Sequence, residues 1–151
     1  MKHGWTLNSD EWNLAFKLLS DQQWRHVNLR IHHSATVPST SGIYAFCQKA
    51  SLISGAPSGN FWSNMYTPLY IGRARNLRRR FQDHLSGRTD ASRIIAKFDN
   101  LEYWWTEIVE EEFIQAESVM IRAFGPSANL VQGTALIGRF AIDVPANSSS
   151  D

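Results

Sequence analysis

PLYIGRARNLRRRFQDHL, residues 68–85, is the stretch on which the fold turns. Pro68 to Gly72 are apolar and aromatic and read as a strand. Asn76 then stands before Leu77, Phe81 and Leu85, which recur at i, i+4 and i+8. That spacing predicts a capped helix over 77–87 with a single apolar face. A strand turning directly into an arginine-bearing helix sets Tyr70, Gly72 and several guanidinium groups side by side. Upstream, GIYAFCQ at 42–48 reads as a second buried strand. The two strands are expected to pair as an antiparallel hairpin, with the long irregular segment 50–67 at its tip. Downstream, LEYWWTEIV at 101–109 reads as a third strand and EEEFIQAESVMIRAFG at 110–125 as a second helix. Its acidic start suits the positive end of the helix dipole, and Gly125-Pro126 ends it.

Residues 1–40 read as a helical extension. Asn8 and Glu11 have capping-box spacing, and Trp12, Phe16 and Leu19 follow at helical spacing. A second short helix is expected near Asp21, taking in Trp24, before Pro38 and the Ser-Thr-Ser-Gly run at 39–42 break the pattern. The tail PANSSSD at 145–151 is expected to be disordered. The element order predicts an α+β chain (an α/β sandwich): a small three-stranded mixed sheet flanked by helices, with the N-terminal helical extension beside it. The expected division is 1–40 for the extension, 41–131 for the core with its insert 50–67, and 132–151 for a C-terminal extension.

With 43% apolar and 12% aromatic residues, the composition is that of a soluble globular protein. No apolar run approaches the roughly 20 residues needed to span a bilayer, and the N-terminus lacks the apolar stretch of a secretory signal. The single cysteine, Cys47, lies in an apolar run and reads as a buried structural thiol. A cytoplasmic, reducing location is expected. Net charge is only +1, but it is segregated. From Arg73 to Phe98 there are eight basic residues against two acidic, and from Asp99 to Glu117 seven acidic and no Lys or Arg. That division suggests a basic surface for a polyanion and a separate acidic region, the other reading being two solvated helix faces that happen to differ in sign.

Glu117 is the most telling single residue. Phe113, Met120 and Phe124 lie at −4, +3 and +7 from it, so it falls on the apolar stripe of its helix. A carboxylate facing a core needs a cation or several hydrogen bonds. An ion pair with Arg80 and a bound metal are the two readings. Arg80, beside the apolar face of its own helix, could be one solvated arginine among several or a bidentate clamp on phosphate.

SGIYAF at 41–46 and PLYIG at 68–72 resemble the two signatures that name the GIY-YIG nucleases. The family has an arginine ten residues after the second tyrosine, where Arg80 stands. It also has a glutamate on a later helix, followed at nine residues by Pro and at twelve by Asn, which Glu117, Pro126 and Asn129 match. The resemblance implies a metal-dependent endonuclease that hydrolyses DNA phosphodiester bonds, restriction-like or repair-like. It implies Tyr44, Tyr70, Arg80, Glu117 and His84 as catalytic residues. It implies Glu117 as the ligand of one Mg²⁺ or Mn²⁺, an ion that binds through few carboxylates plus waters and phosphate oxygens. Gly72, Arg73, Arg75, Arg78, Arg79 and Asn129 are the expected DNA-binding residues. Which tyrosine is the base is open, with Tyr70 favoured because one short turn links it to Arg80. The other function class is a catalytically inactive nucleic-acid-binding module on the same scaffold, against which the complete Tyr, Tyr, Arg and Glu set speaks.

Compact members of the family place their signatures about ten residues apart, whereas Tyr44 and Tyr70 are 26 apart. The insert 50–67 carries Phe61, Trp62 and Tyr66. A DNA-contacting loop, a homodimer contact and a disordered insert are its open readings.

Overall fold

The computed structural model describes residues 9–49, 66–126 and 128–129. Helix α1 (Ser9–Ser20) precedes strand β1 (Arg25–Asn28) and a 3-10 turn (Ile31–Thr36). Strands β2 (Gly42–Lys49) and β3 (Tyr66–Ala74) lead into helices α2 (Leu77–Leu85) and α3 (Asp90–Ile95). Strand β4 (Glu102–Glu107) and helix α4 (Glu110–Phe124) complete the order. The α+β class holds. Residues 50–65 of the insert and the tail lie outside the described residues, while Tyr66 and Thr67, counted with the insert from sequence, open β3.

The expected three-stranded mixed sheet is instead four-stranded, in the order β1-β4-β2-β3, with every neighbouring pair antiparallel. β3 and β4 run in the same direction, but β2 lies between them and pairs antiparallel with both. The added strand is β1, and it replaces the helix expected around Trp24. RHVN is short and mostly exposed, so neither period is legible in it. Its partner β4 makes it a strand, pairing Arg25 with Trp105 and Val27 with Tyr103. His26 stacks on Trp104 at 4.3 Å.

Both faces of the sheet are covered, which is why GIYAFC reads as an unbroken apolar run. Tyr44, Phe46, Ala74, Tyr103 and Trp105 face α2 and α3, packing with Leu77, Phe81, Ala91 and Ile95. Ile43, Ala45, Cys47 and Ile71 face α4, packing with Phe113, Ala116 and Met120. Helix α1 lies against α4. Cys47 is 8% exposed, and burial, with the Glu102 charge second, pushes its thiol up to about 12. Among the described residues no helix is long and apolar enough to cross a membrane.

Two helix ends position the site. The Asn76 side chain accepts from Arg79 N at 2.9 Å, fixing where α2 leaves the strand. α4 begins with Glu110, Glu111 and Glu112 in its first turn and ends at Gly125, whose φ of 53° is the left-handed cap conformation. Along α2 the innermost residues are Leu77, Phe81 and His84, while Leu85 is only half-buried. The helix is thus turned so that a histidine, and not the third leucine-type position, reaches the core.

Asn76→Ala removes the cap of α2 and is expected to destabilise the chain by about 1 kcal/mol. A thermal melt followed by circular dichroism should show a drop of roughly 2–4 °C. An unchanged midpoint would mean that α2 is held by packing alone.

Candidate active site

The site forms at β3, the edge strand, because an edge is where the two faces of a sheet can share one opening. From the α2 side come Tyr44 on β2, Tyr70 on β3, and Arg80 and His84 on α2. From the α4 side come Glu117 and, on β3, Arg73. The β2–β3 register sets Tyr44 opposite Gly72 and Phe46 opposite Tyr70.

Gly72 owes its identity to packing. A Cβ there would stand 2.5 Å from the Tyr44 hydroxyl, 2.6 Å from Tyr44 Cζ and 2.9 Å from Tyr70 Cε1. These distances are shorter than any van der Waals contact, so the two phenols approach each other through the space a side chain would fill. The rings lie 6.0 Å apart at their centroids, and Tyr103 stacks on Tyr44 from the other side at 5.2 Å.

Tyr44 is wholly buried, and its hydroxyl is 2.8 Å from His84 Nε2. His84 Nδ1 is 2.7 Å from Thr89 Oγ1, which is 2.7 Å from Ser92 Oγ. This chain runs from the centre of the sheet to the start of α3 and fixes the imidazole at both nitrogens. Burial, with the Arg80 guanidinium second, pulls His84 down to about 3, so the ring is neutral at any ordinary pH. Burial likewise lifts Tyr44 well above the usual phenol range, assisted by Tyr70 and Tyr103. Tyr70 is half-buried and hydrogen-bonded to Tyr44. Burial raises it, the Tyr44 hydrogen bond and Arg80 oppose the rise, and Glu117 adds to it. Arg80 reaches the same phenols: burial works against its charge, but Tyr44 and Tyr70 outweigh this and raise it, so it stays a cation.

Glu117 projects between the buried Phe113 and Met120 with its side chain 18% exposed. Phe124, expected on the same stripe, is 40% exposed. Burial raises the Glu117 carboxyl, and Arg73, paired with it through Nη1, holds it down, with Arg80 a weaker contributor. The partner is therefore Arg73 on the strand, not Arg80 on the helix, as the ion-pair reading from sequence had it. Among the described residues no group of three or more His, Cys, Asp or Glu side chains converges. One half-buried carboxylate beside an open basic groove suits an ion such as Mg²⁺, which keeps most of its waters and takes few protein ligands.

The remaining candidates are dispersed. Arg75 bonds Glu110 at 2.9 Å on the surface. Arg78 is turned away from the groove, donating to the carbonyls of Val37 at 2.8 Å and Ala35 at 3.3 Å. Arg79 lines an open groove of about 520 Å³ with Arg73, Arg75, Arg80, Asp83 and Phe113. Asn129 brackets the outer edge of β3: its Oδ1 accepts from Ile71 N and its Nδ2 donates to Ile71 O, both at 2.7 Å. Sequence reasoning missed Thr89 and Ser92. The only signal for them was a Ser/Thr pair three residues apart ahead of an apolar run.

The GIY-YIG catalytic domain model matches residues 41–130 of the chain. The chain belongs to the GIY-YIG family. A GIY-YIG chain is a phosphodiester-hydrolysing endonuclease. Among solved structures it is similar to the N-terminal GIY-YIG endonuclease domain of UvrC from Thermotoga maritima bound to magnesium, its catalytic divalent cation. There the identity is 25% and the TM-score 0.46, over 65% of this chain and 92% of that one. A point mutant of the same domain, bound to its catalytic divalent cation, is similar at 24% identity and TM-score 0.45, over 64% and 90% of the two chains. No curated protein matches the chain.

Two outcomes follow for this GIY-YIG site. Gly72→Ala must part the two phenols, and a misplacement near 1 Å is expected to cost about 100-fold in cleavage rate. A nicking assay measures it, and wild-type rates would show that the close approach is dispensable. His84 is neutral when folded and takes a proton near pH 6.5 when unfolded. Its folded pKa is depressed, so the stability it contributes is complete above about 6.5 and is lost as pH falls toward about 3. Between about pH 7 and about pH 4.5, wild type should lose roughly 2–3 kcal/mol more than His84→Gln. Urea midpoints at the two pH values check this, and equal losses would contradict the neutral histidine.

Proposed function

We propose that the chain is a divalent-metal-dependent DNA endonuclease with one ion per site, in which Tyr70, Arg80 and Glu117 are the catalytic residues and Tyr44 and His84 position them. The observation that carries this reading is the meeting of these side chains from four separate elements around one edge strand: Tyr44 bonded to His84 at 2.8 Å, the Tyr70 ring 6.0 Å from that of Tyr44, Arg80 acting on both phenols, and Glu117 close enough to influence Tyr70 and Arg80.

Glu117 would hold the ion. A divalent cation bound there supplies Lewis-acid charge beside the phosphodiester and its leaving oxygen. Arg80 lies on the other side of Tyr70 and offsets the charge that builds on the phosphoryl oxygens. The two phenols beside it favour its charged form, so the guanidinium is ready as a cation when substrate arrives. Tyr70 is the less buried of the two phenols, and it takes the attacking water. A free phenol has a pKa near about 10, too high for a base at neutral pH. Arg80 opposes the upward push of burial on Tyr70, and added positive charge near Glu117 acts in the same direction. Tyr44, sealed from solvent, orients Tyr70 through their hydrogen bond. His84 acts through Tyr44 as a positioning residue, because a ring held near 3 does not accept the water's proton. Asn129 holds Ile71, the residue after Tyr70, against the edge. Arg79 and Arg75 would contact phosphates along the groove, independent of sequence.

The proposed substrate is DNA, and the insert 50–67 is the segment proposed to set target choice. A plasmid-nicking assay with Mg²⁺ tests the reading. Glu117→Gln and Arg80→Ala should each lower the rate by at least about 100-fold, as loss of a charge aimed at the transition state does. Tyr70→Phe should match them, and His84→Gln should fall between these and wild type. Undiminished cleavage by Glu117→Gln would sink the proposal. Mapping product ends on linear and branched DNA divides the restriction-like from the repair-like form.

A further inference from the structure

The guanidinium paired with Glu117 belongs to Arg73, and the arrangement around that pair says more than charge balance. Arg73 sits on β3, and its Cζ lies 5.5 Å from the centre of the Phe113 ring. The ring gives the guanidinium an apolar and quadrupolar shelf on which it can turn. Arg73 is 41% exposed and Glu117 18%, so the arginine is the more mobile partner and the carboxylate the more fixed. The same arginine also lines the open groove of about 520 Å³ that holds Arg75, Arg79 and Arg80. Arg73 therefore stands between the half-buried carboxylate it already pairs with and an open basic groove in which its charge could meet a phosphate.

A second pair repeats the layout. Arg75, just past the end of β3, bonds Glu110 on the same helix as Glu117 at 2.9 Å, but both partners are exposed. Burial makes the difference. A half-buried carboxylate on an apolar stripe must keep a cation, whereas an exposed one can be left to water. Glu117 can give up Arg73 only if another cation replaces it.

We propose that Arg73 is an exchangeable counter-ion. It occupies the carboxylate of Glu117 until a divalent cation takes that place, and it then turns into the groove to bind substrate phosphate, so that cation and DNA binding are positively coupled through one side chain. This rests on Glu117 being the cation site. Coupling is reciprocal: whatever factor the cation adds to DNA affinity, DNA adds to cation affinity. The exchange leaves Glu117 paired in both states and adds one guanidinium to the groove only when the site is loaded.

Two binding measurements on the full chain test it without turnover. Mn²⁺ titration read by electron paramagnetic resonance gives cation affinity directly. Arg73→Gln should bind Mn²⁺ roughly five- to tenfold more tightly than wild type, the scale of one partly exposed ion pair removed from the competition. Unchanged or weaker Mn²⁺ binding by this variant would overturn the exchange. Absence of Mn²⁺ binding by wild type would instead overturn the cation site itself, so the two failures are distinguishable. Fluorescence anisotropy of labelled DNA, in EDTA and in Ca²⁺, gives the other half. Wild type should gain affinity with Ca²⁺, and Arg73→Gln should lose most of that gain. Glu117→Gln should bind DNA in EDTA several-fold more tightly than wild type, because it frees Arg73 without any cation. The double variant should lose that increase. An equal increase from Glu117→Gln in both backgrounds would show loss of a repelling charge only, and would overturn the role of Arg73.

Discussion

The space beside the Tyr44 hydroxyl governs the rest of the site. It is filled by the absence of a side chain at Gly72, across the β2–β3 pair from Tyr44. Because facing residues in an antiparallel pair are fixed by register, a slip of one residue would place Arg73 or Ile71 where only hydrogen fits. Gly-Ile-Tyr on β2 and Tyr-Ile-Gly on β3 thus act as one unit. Each contributes the ring or the gap that the other requires. The two isoleucines, Ile43 and Ile71, are wholly buried on the opposite face and hold the same register from the α4 side.

From that contact the electrostatics follow. Tyr44 is sealed between Tyr103, Phe46 and His84, and a buried hydroxyl must find partners. It finds one in a histidine held neutral, with the Arg80 charge acting on it as well. The charges nearest the phenols and the carboxylate act on their neighbours: Arg80 on Tyr44 and Tyr70, Arg73 on Glu117. Positive charge lies on α2 and the end of β3, and negative charge on α4, which is the segregation seen along the chain. The division is therefore not two unrelated surfaces. The acidic helix supplies the counter-ions of the basic strand across the groove, at Glu117 for Arg73 and at Glu110 for Arg75.

The core of this arrangement was legible in the sequence because its signals are local. Asn76 caps the helix that the i, i+4 spacing announces, and Glu117 on an apolar stripe asks for a cation wherever it is found. What was not legible depends on partners distant in the chain. Arg25–Asn28 is a strand only because Trp105 to Glu102 lie beside it. The choice of Arg73 over Arg80 as the partner of Glu117 depends on which face of β3 each side chain can reach. Arg78 sits in a basic run like any phosphate contact, yet the carbonyls of Ala35 and Val37 take it up. His84 in place of Leu85 on the inner face follows from the rotation of α2, which is set by Leu77 and Phe81 packing under Tyr103.

An edge strand is an exposed row of donors and acceptors, and proteins block such rows. Here the blocking group is also part of the site. Asn129 answers both the N–H and the C=O of Ile71, as a neighbouring strand would at one residue and no more. Among the described residues no further strand pairs with β3 on either side of Ile71, at Tyr70 or at Arg73. A fifth strand in the same place would cover both. The side-chain amide thus satisfies the Ile71 backbone where it is buried without adding a strand to the edge beside the proposed site, which a group with a donor and an acceptor on one short stem can do.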